Sequence, residues 1–290
     1  MLPKTALLLS SAACIAAASA QPIIPGYDFI KASASYAGGM EFDDSGAELE
    51  LWQFNARTVL TKPINPTENF VILPVIDYKA TLAQIDDFEE DLHSISLSTF
   101  MVYSEKSSPW MIGGWLRAEY ASDFERSTSD AFSFDVIAGA AYKFSDSLTI
   151  GFGAAVVNLN NDEEFYAGPA IDWKINDCYR ISLFGPNVTA SWTPDENWKV
   201  SIAGEASGDE WVVNDGFGTT AGQNAIVDLD SYRVGLFVDR RLTGDLWLHV
   251  GAGVTVANSL EFKDMDGDRI GKDDLDEGWF GEIGVRLEIW

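Results

Sequence analysis

Cysteine and histidine are almost missing from this sequence. Its 290 residues contain two of each. Cys14 lies in the apolar N-terminal stretch described below, which leaves Cys178 as the one thiol of the remaining chain. A single thiol forms no internal disulfide bond, so a fold held together by disulfides is excluded. The sequence also contains no Cys/His cluster with zinc spacing and no G-x-S-x-G nucleophile motif.

Positive charge is also scarce. The chain has 19 Lys and Arg against 45 Asp and Glu, which gives a formal net charge of −26. Nucleic-acid phosphates would be repelled by this surplus of carboxylates, so we expect no nucleic-acid partner. Aromatic residues make up 12% of the chain. Because disordered chains contain few aromatics, this content predicts an ordered protein.

Long apolar runs are missing after residue 20, where no stretch reaches the ~20 residues that a transmembrane helix requires. Residues 1–20 themselves predict a secretory signal peptide, with a basic Lys4, an apolar region at 6–18 and a small-residue cleavage site at 18–20. The missing apolar runs do not exclude a membrane protein, since a β-strand crosses a membrane with about 9–11 residues and one apolar face.

What the sequence does contain is alternation with a period of two. In one segment Phe132, Phe134 and Val136 alternate with Ser133 and Asp135. The same pattern recurs at residues 30–36, 110–120, 148–156, 198–205, 232–239, 246–256 and 283–289. Such alternation predicts β-strands with one apolar and one polar face. No segment of comparable length has helical spacing with caps, so we predict an all-β chain with a single domain over residues 21–290.

The connections between these segments alternate between short and long. Residues 144–147 and 243–245 are short, whereas 41–48, 207–228 and 261–278 are longer, and most of the long ones are acidic. This alternation is typical of a closed antiparallel up-and-down barrel with turns at one rim and loops at the other. We predict 12–14 strands. The higher count takes residues 179–192 as a short hairpin that turns at 185–187.

The polar face carries ionisable groups at the strand centres, and aromatics such as Trp110 and Tyr142 stand near strand ends. A membrane barrel needs this arrangement, with a polar lumen inside and aromatic girdles at the two interfaces. The candidates for lumen-facing residues are Lys31, Arg57, Lys79, Arg117, Glu119, Asp135, Lys143, Arg180, Arg233, His249 and Arg286.

The sequence closes with "WFGEIGVRLEIW" at residues 279–290, an amphipathic strand capped by an aromatic. Together with the signal peptide, this segment resembles the insertion signal of bacterial outer-membrane β-barrels. Trp290 departs from that pattern, because it stands one place outside the apolar phase of Ile283 to Ile289. The resemblance is to an outer-membrane family of uncharacterised role. It implies contact with outer-membrane lipid and recognition by the barrel-assembly machinery through this last strand, and it brings no functional residues.

The function expected from these features is a passive one, either a narrow diffusion pore or a structural barrel with acidic external loops. Two alternatives stay open. One is a secreted soluble β-sandwich that acts as a binding protein. The other is a barrel-type outer-membrane enzyme, for which His249 on the polar face would be the base. We expect His249 to be a lumen residue instead, and we expect neither catalytic residues nor an enzymatic activity.

The stretch 264–277 is rich in carboxylates at a spacing of two. Hard cations such as Ca²⁺ take six to eight oxygen ligands, so the segment resembles the Asp-rich calcium loops of EF-hands and thrombospondin-type repeats. It departs from the EF-hand pattern because Arg269 stands where Gly is expected and the twelfth place lacks Glu. A solvated acidic loop is the alternative. The candidate calcium ligands are Asp264, Asp266, Asp268, Asp273 and Asp276.

Overall fold

The structure, a computed structural model, describes residues 30–86, 88–125, 128–157, 163–214, 224–265 and 267–287. The predicted signal peptide at residues 1–20, Asp266 and the terminal Trp290 lie outside the described residues. Among the described residues, no helix is long and apolar enough to cross a membrane.

The described residues form seventeen strands, because apolar and polar side chains alternate along most of the chain. In chain order they are β1 (Ile30–Glu41), β2 (Glu48–Val59), β3 (Ile64–Thr67), β4 (Phe70–Ile85), β5 (Phe88–Ser104), β6 (Trp110–Ser122), β7 (Phe132–Ser145), β8 (Leu148–Val157), β9 (Glu164–Lys174), β10 (Tyr179–Phe184), β11 (Asn187–Asp195), β12 (Trp198–Ala206), β13 (Asp209–Asn214), β14 (Asn224–Thr243), β15 (Leu246–Lys263), β16 (Arg269–Leu275) and β17 (Gly278–Leu287). A 3₁₀ turn at Ser129–Ala131 precedes β7.

Fourteen of these strands form one closed antiparallel barrel. Each pairs with its neighbour in the order β1, β2, β4 to β12, β14, β15 and β17. The ring closes because β17 pairs with β1, from Ile30 opposite Leu287 to Gly38 opposite Trp279. The prediction of a closed up-and-down barrel is confirmed at the higher strand count. The hairpin predicted within residues 179–192 is present as β10 and β11, which turn between Phe184 and Asn187.

The apolar side chains of the barrel strands point outwards. Ile112, Phe152 and Ile202 are each about 60% exposed on the outer face, while their chain neighbours point into the lumen. The alternative of a soluble β-sandwich is therefore wrong. The chain forms one closed sheet rather than two stacked sheets, and its outer face is apolar where a soluble barrel would be polar.

Aromatic rings cluster at both rims of this outer face. At the short-turn rim, the rings of Trp110 and Tyr142 meet edge to face with their centroids 5.0 Å apart. At the long-loop rim, the Tyr36 ring lies 4.6 Å from Trp52 and 4.9 Å from Trp279. Such girdles mark the two membrane interfaces of a transmembrane barrel, so the band between them is the membrane-spanning part.

Two of the predicted loops contain strands. Residues 207–228 contain β13 and the start of β14, and residues 261–278 contain β16. β13 pairs with the first residues of β14, from Asp209 opposite Leu229 to Asn214 opposite Asn224. The upper ends of β14 and β15 and then β16 continue the pairing. We call this four-stranded extension the lid sheet; it comprises residues 209–214, 224–229, 258–263 and 269–275.

The lid sheet bends over the long-loop mouth because the two long strands that carry it are irregular at its base. The pairing of β14 with β15 shifts register between Asp230 and Tyr232. On the partner strand, Ala257 has a positive φ of 54°. Irregularities of this kind bend a strand and increase its local twist. They separate the membrane-spanning halves of β14 and β15 from the halves that form the lid.

Both edges of the lid sheet are attached to the rest of the barrel, one to the opposite wall and one to the neighbouring β1–β2 connection. At one edge, Val212 forms a parallel bridge with Ser122 of β6, and the Asn214 side-chain amide donates to Asp123 at 2.8 Å. At the other edge, Leu275 pairs with Phe42, and the Asp43 amide donates to the Asp274 carbonyl at 3.0 Å. The lid therefore spans the mouth from β6 to the β1–β2 connection.

Candidate functional site

The lumen directly beneath the lid sheet is filled with apolar side chains. Trp211 and Val213 of β13 are at most 2% exposed and point down from the lid. They pack in one cluster with inward-facing residues of the wall, among them Leu49 of β2, Leu92 of β5 and Phe280 of β17. We call this level the apolar tier. It closes the mouth where the lid lies across it.

Below the apolar tier, the inward positions become polar and charged. We call this level the charged belt. Lys31 of β1 forms an ion pair with Glu282 of β17 across the closing seam, at 2.7 Å. Arg57 of β2 pairs with Asp77 on the neighbouring β4. The Arg57–Asp77 pair follows directly from the register, because the two residues face each other on β2 and β4. Lys31 faces Arg286 and reaches along the seam to Glu282, which is opposite Ser35.

A second group of belt charges lies on β4, β6 and β7. Arg117 of β6 binds Asp135 of β7 at 2.5 Å and Glu119 of its own strand at 2.7 Å. Asp135 is buried, and Glu119 also accepts a hydrogen bond from Ser94. Lys79 of β4 pairs with Asp209, the first residue of β13. That last pair ties the base of the lid to the barrel wall.

His249 lies in a third group, on β14, β15 and β17. Its Nδ1 is 2.8 Å from the Asp239 carboxylate, and its Nε2 is 3.9 Å from Glu282. Arg286 binds the same Asp239 carboxylate at 3.2 Å. The imidazole is also stacked on Phe237, with ring centroids 5.4 Å apart. His249 is thus held beside the Asp239–Arg286 ion pair by its own contact with the Asp239 carboxylate inside the lumen.

The remaining candidates take different positions. Arg233 donates to the side chain of Gln53 at 2.8 Å and lies over the Phe280 ring, which places it at the junction of belt and apolar tier. Arg180 binds Asp172 through two 2.6 Å hydrogen bonds on β9 and β10, away from the belt. Lys143 reaches the exposed Asp146 at the short-turn rim. The structure therefore brings nine of the eleven candidates into or beside the belt and leaves Arg180 and Lys143 apart.

The belt surrounds a cavity of about 260 Å³. It lies against the inward faces of β1, β2, β4, β5 and β6 and extends to the base of the lid at Asp209. Its charged lining residues are Lys31, Arg57, Lys79, Arg117, Arg233, Asp77, Glu119, Glu205, Asp209 and Glu282. Five cations thus face five anions. A polar space of this kind can hold water or a small hydrophilic solute within the barrel.

Several residues of this site are missing from the sequence predictions. Asp209 and Trp211 were expected in a long loop, yet one anchors the lid and the other fills the mouth. The apolar run 211–213 within an acidic stretch was the available signal, since solvated loops rarely carry three successive large apolar residues. The inward serines Ser94, Ser96 and Ser98 of β5 also line the cavity. Their alternation with Ile95 and Leu97 indicated an inward polar row.

The predicted calcium ligands lie at the edge of the lid sheet. Asp264 accepts the Asp268 amide at 2.9 Å and so closes the turn between β15 and β16. Asp273 belongs to β16, and the Asp276 amide donates to the Glu41 carbonyl at 2.8 Å. Within the part of the chain that the structure describes, no group of three or more His, Cys, Asp or Glu side chains could hold a metal ion. Asp266 lies outside that part, and calcium binding stays a prediction.

One carboxyl group at the long-loop mouth is strongly perturbed. Partial burial, followed by the nearby charges of Asp123, Glu125 and Asp91, raises the pKa of Glu90 from its ordinary 4.5 to about 7. Glu89 and Asp91, on either side of it, are exposed on the outer face. Because carboxylates would not face lipid, this end of β5 lies beyond the apolar band. Asp123 is also the residue that holds Asn214 of the lid, which places Glu90 close to a lid anchor.

Comparison with known proteins gives a family and a set of structural neighbours. The family model described as "Domain of unknown function (DUF6268)" matches residues 79–287. No curated protein matches the sequence. The structure is similar to the COG4313 outer membrane channel from Pseudomonas putida F1, with 9% identity and a TM-score of 0.47 over 93% of this chain and 100% of that one.

It is also similar to a Pseudomonas aeruginosa FadL homologue, with 10% identity and a TM-score of 0.45 over 89% of each chain. A third neighbour is the translocator domain of the autotransporter NalP from Neisseria meningitidis, with 9% identity, a TM-score of 0.36, and coverage of 90% of this chain and 88% of that one. At these identities and TM-scores we draw no functional conclusion from the similarities.

Proposed function

The chain belongs to the DUF6268 family and is a β-barrel of the bacterial outer membrane, and from that premise we propose that it is a passive solute channel closed by its lid sheet. The observation that carries this proposal is the cavity of about 260 Å³ in the charged belt, which lies inside the barrel wall and below the apolar tier. A barrel with a purely structural role could fill the level of the charged belt with apolar side chains, as this barrel does in the apolar tier above it.

The arrangement supports a gate at the external mouth. Outer-membrane barrels carry their long loops outside and their short turns in the periplasm, so the lid sheet lies on the external side. At the β13 edge, its polar anchors are the Lys79–Asp209 ion pair and the hydrogen bonds of Asp123 with Asn214, beside the Val212–Ser122 bridge and the apolar packing of Trp211. Release of this edge would lift β13 out of the lumen while the fourteen-stranded ring stayed closed. The acidic loops around the mouth would enrich cations there.

We propose this passive role over an enzymatic one because of the surroundings of His249. Among the described residues its contacts are Asp239, Glu282 and Phe237, none of which offers a hydroxyl or thiol for activation. A nucleophile and base mechanism needs such a group within hydrogen-bond reach of the base. The proposed surroundings of the barrel are outer-membrane lipid around the apolar band and the barrel-assembly machinery during insertion.

A reversible lock on the lid tests the channel. In a Cys178→Ser background, Val212→Cys and Ser122→Cys would place two thiols on bridged positions of β13 and β6. Facing positions on adjacent strands lie within the 4.4–6.8 Å Cα separation that a disulfide spans, so oxidation should fix the lid edge to the wall. We expect refolded protein in planar bilayers to show conductance steps when reduced and to lose them when oxidised.

The matched control is the Cys178→Ser, Val212→Cys single-thiol protein, which should conduct equally under both conditions. Absence of conductance steps in the reduced double variant and in the unmodified chain would contradict the channel. Equal conductance in the oxidised and reduced states would contradict the lid as its gate. His249→Ala in the same assay should leave the steps intact.

A further inference from the structure

The cavity in the charged belt has a chemistry that selects among solutes. We propose that it is a binding site for a neutral, hydroxyl-rich solute of about monosaccharide size, an inference that rests on the proposed channel function only for the solute's route into the cavity. Its volume of about 260 Å³ is slightly below the ~300–1,000 Å³ range of small-molecule sites, so one sugar ring fits better than an oligomer.

The charges of the cavity argue for a neutral ligand. Its lining has equal numbers of cationic and anionic side chains, and they form pairs such as Lys31 with Glu282 and Arg57 with Asp77. A charged solute would find no net charge in the lining to neutralise it, and at four of the five cations it would have to compete with an existing ion pair. Burying an uncompensated ion is costly, whereas a neutral solute meets no such cost.

The uncharged part of the lining consists mainly of hydroxyl and amide groups. Ser94, Ser96 and Ser98 occupy successive inward positions of β5, and Gln53 and Asn55 do so on β2. Ser96 is opposite Asp77 on one side and Glu119 on the other. Hydroxyls and amides both donate and accept hydrogen bonds, which matches a ligand whose own groups are hydroxyls.

Several buried donors or acceptors of residues that line the cavity have no hydrogen-bond partner among the described residues, and three of them belong to side chains that are almost fully buried. These three are the Ser33 hydroxyl, the Trp115 indole Nε1 and the Arg233 Nε. All three residues line the cavity and are less than 9% exposed. Buried polar groups are nearly always hydrogen-bonded, because leaving one unpaired costs free energy. These three atoms have less than 1 Å² of accessible surface, so a bound polyol would reach them only after a small shift of their side chains, whereas the serines of β5 already line the cavity.

The test measures glucose binding to the refolded full chain by calorimetry and, separately, the block of potassium chloride current by glucose in planar bilayers. Glucuronate and glucosamine serve as charged probes of the same size. We expect saturable glucose binding, and glucose should bind at least about tenfold more tightly than either charged probe, since 1.4 kcal/mol of unfavourable charge burial already gives that ratio.

Two variants test the two parts of the proposal, namely recognition by hydroxyl groups and selection for a neutral ligand. Ser96→Val removes a hydroxyl while keeping a residue that suits a strand, and it should weaken glucose binding roughly tenfold for a lost hydrogen bond of about 1.4 kcal/mol. Ser191→Val is the matched control, because Ser191 faces inwards on β11 but does not line the cavity. Asp77→Asn gives the cavity one surplus positive charge and should bring glucuronate binding up to or beyond that of glucose.

The outcomes separate this site from the channel. Glucose binding that Ser96→Val weakens and Ser191→Val leaves unchanged supports the site, whether or not the barrel conducts. A barrel that conducts but shows neither heat nor block with glucose overturns the site and keeps the channel. Equal binding of glucose and glucuronate by the unmodified chain, or an equal effect of the two serine variants, also overturns it.

Discussion

The apolar tier and the charged belt are built on the same strands and on the same inward phase, yet their chemistry is opposite. On β5, Leu92 belongs to the apolar tier, while Ser94 two positions further belongs to the belt. On β6, Ala121 and Arg117 differ in the same way. The inward residue type therefore changes along the strands. It is apolar beneath the lid, polar and charged around the cavity, and apolar again toward the short-turn rim, where residues such as Phe100 and Met111 pack together.

The two levels also differ in what holds them together. Burying a large apolar side chain contributes about 1.5–3 kcal/mol, so the packing of Trp211 and its neighbours stabilises the seated lid. Buried ion pairs contribute little net stability, because desolvation offsets most of their attraction. The belt therefore makes a small contribution to holding the barrel closed, and its charges act on what enters the lumen.

The largest effect is expected from a substitution that removes the side chain at the centre of the apolar tier. Trp211→Ala should destabilise the seated lid by about 3–5 kcal/mol, the usual cost of deleting a large buried aromatic. The expected result is a higher open probability in single-channel recordings, with the ring itself still folded. Trp173→Ala, on the exposed outer face, is the control and should leave the open probability unchanged. Similar recordings from both variants would contradict the lid as the closing element.

A smaller effect is expected from a buried belt charge. Asp135→Ala removes one of the two carboxylates of Arg117, and we expect a loss of about 1–3 kcal/mol in the free energy of unfolding, because Glu119 still compensates the guanidinium. Chemical denaturation of the refolded barrel measures this. Asp146→Ala removes the partner of Lys143 at the exposed rim and should produce no measurable change. A comparable loss in both variants would show that burial does not distinguish the two pairs.

The smallest effect concerns pH at the mouth. The pKa of Glu90 in the folded protein, about 7, lies above its ordinary value of 4.5, so the native state binds this proton more tightly than the unfolded state does. Stability from this group is therefore present below about pH 4.5 and is lost as the pH rises through about 7. Glu90→Gln should reduce the drop in unfolding midpoint between pH 5 and pH 8.

Because Glu90 is only partly buried, solvent screens the effect and the change should be modest. Asp44→Asn, at an exposed position of the β1–β2 connection, is the control and should keep the drop of the unmodified chain. If Glu90→Gln shows the same drop in unfolding midpoint as the unmodified chain, the pH dependence of stability comes from another group.

The sequence predicted the ring well because alternation is a local property. The alternation around Ile112 and Arg117 indicates which face of the strand each side chain occupies. That assignment does not depend on which strand is the pairing partner. The lid could not be predicted in this way. The position of Trp211 depends on the bend near Ala257 and on contact with β6, which are relations between distant segments. The partners of the belt residues were missed for the same reason: Asp209 meets Lys79 only once the lid has folded inwards.

The seam between β1 and β17 also sets an order of events during folding. It joins Ile30 with Leu287, so nearly the whole described chain lies between the two strands that must meet. Contacts this distant in sequence form slowly, because the entropy of closing the loop opposes them before they gain stability. Until then β1 and β17 each present an unpaired edge that can recruit another chain. The lid needs both β6 and the β1–β2 connection in place, so the barrel should seat its lid only after the ring has closed.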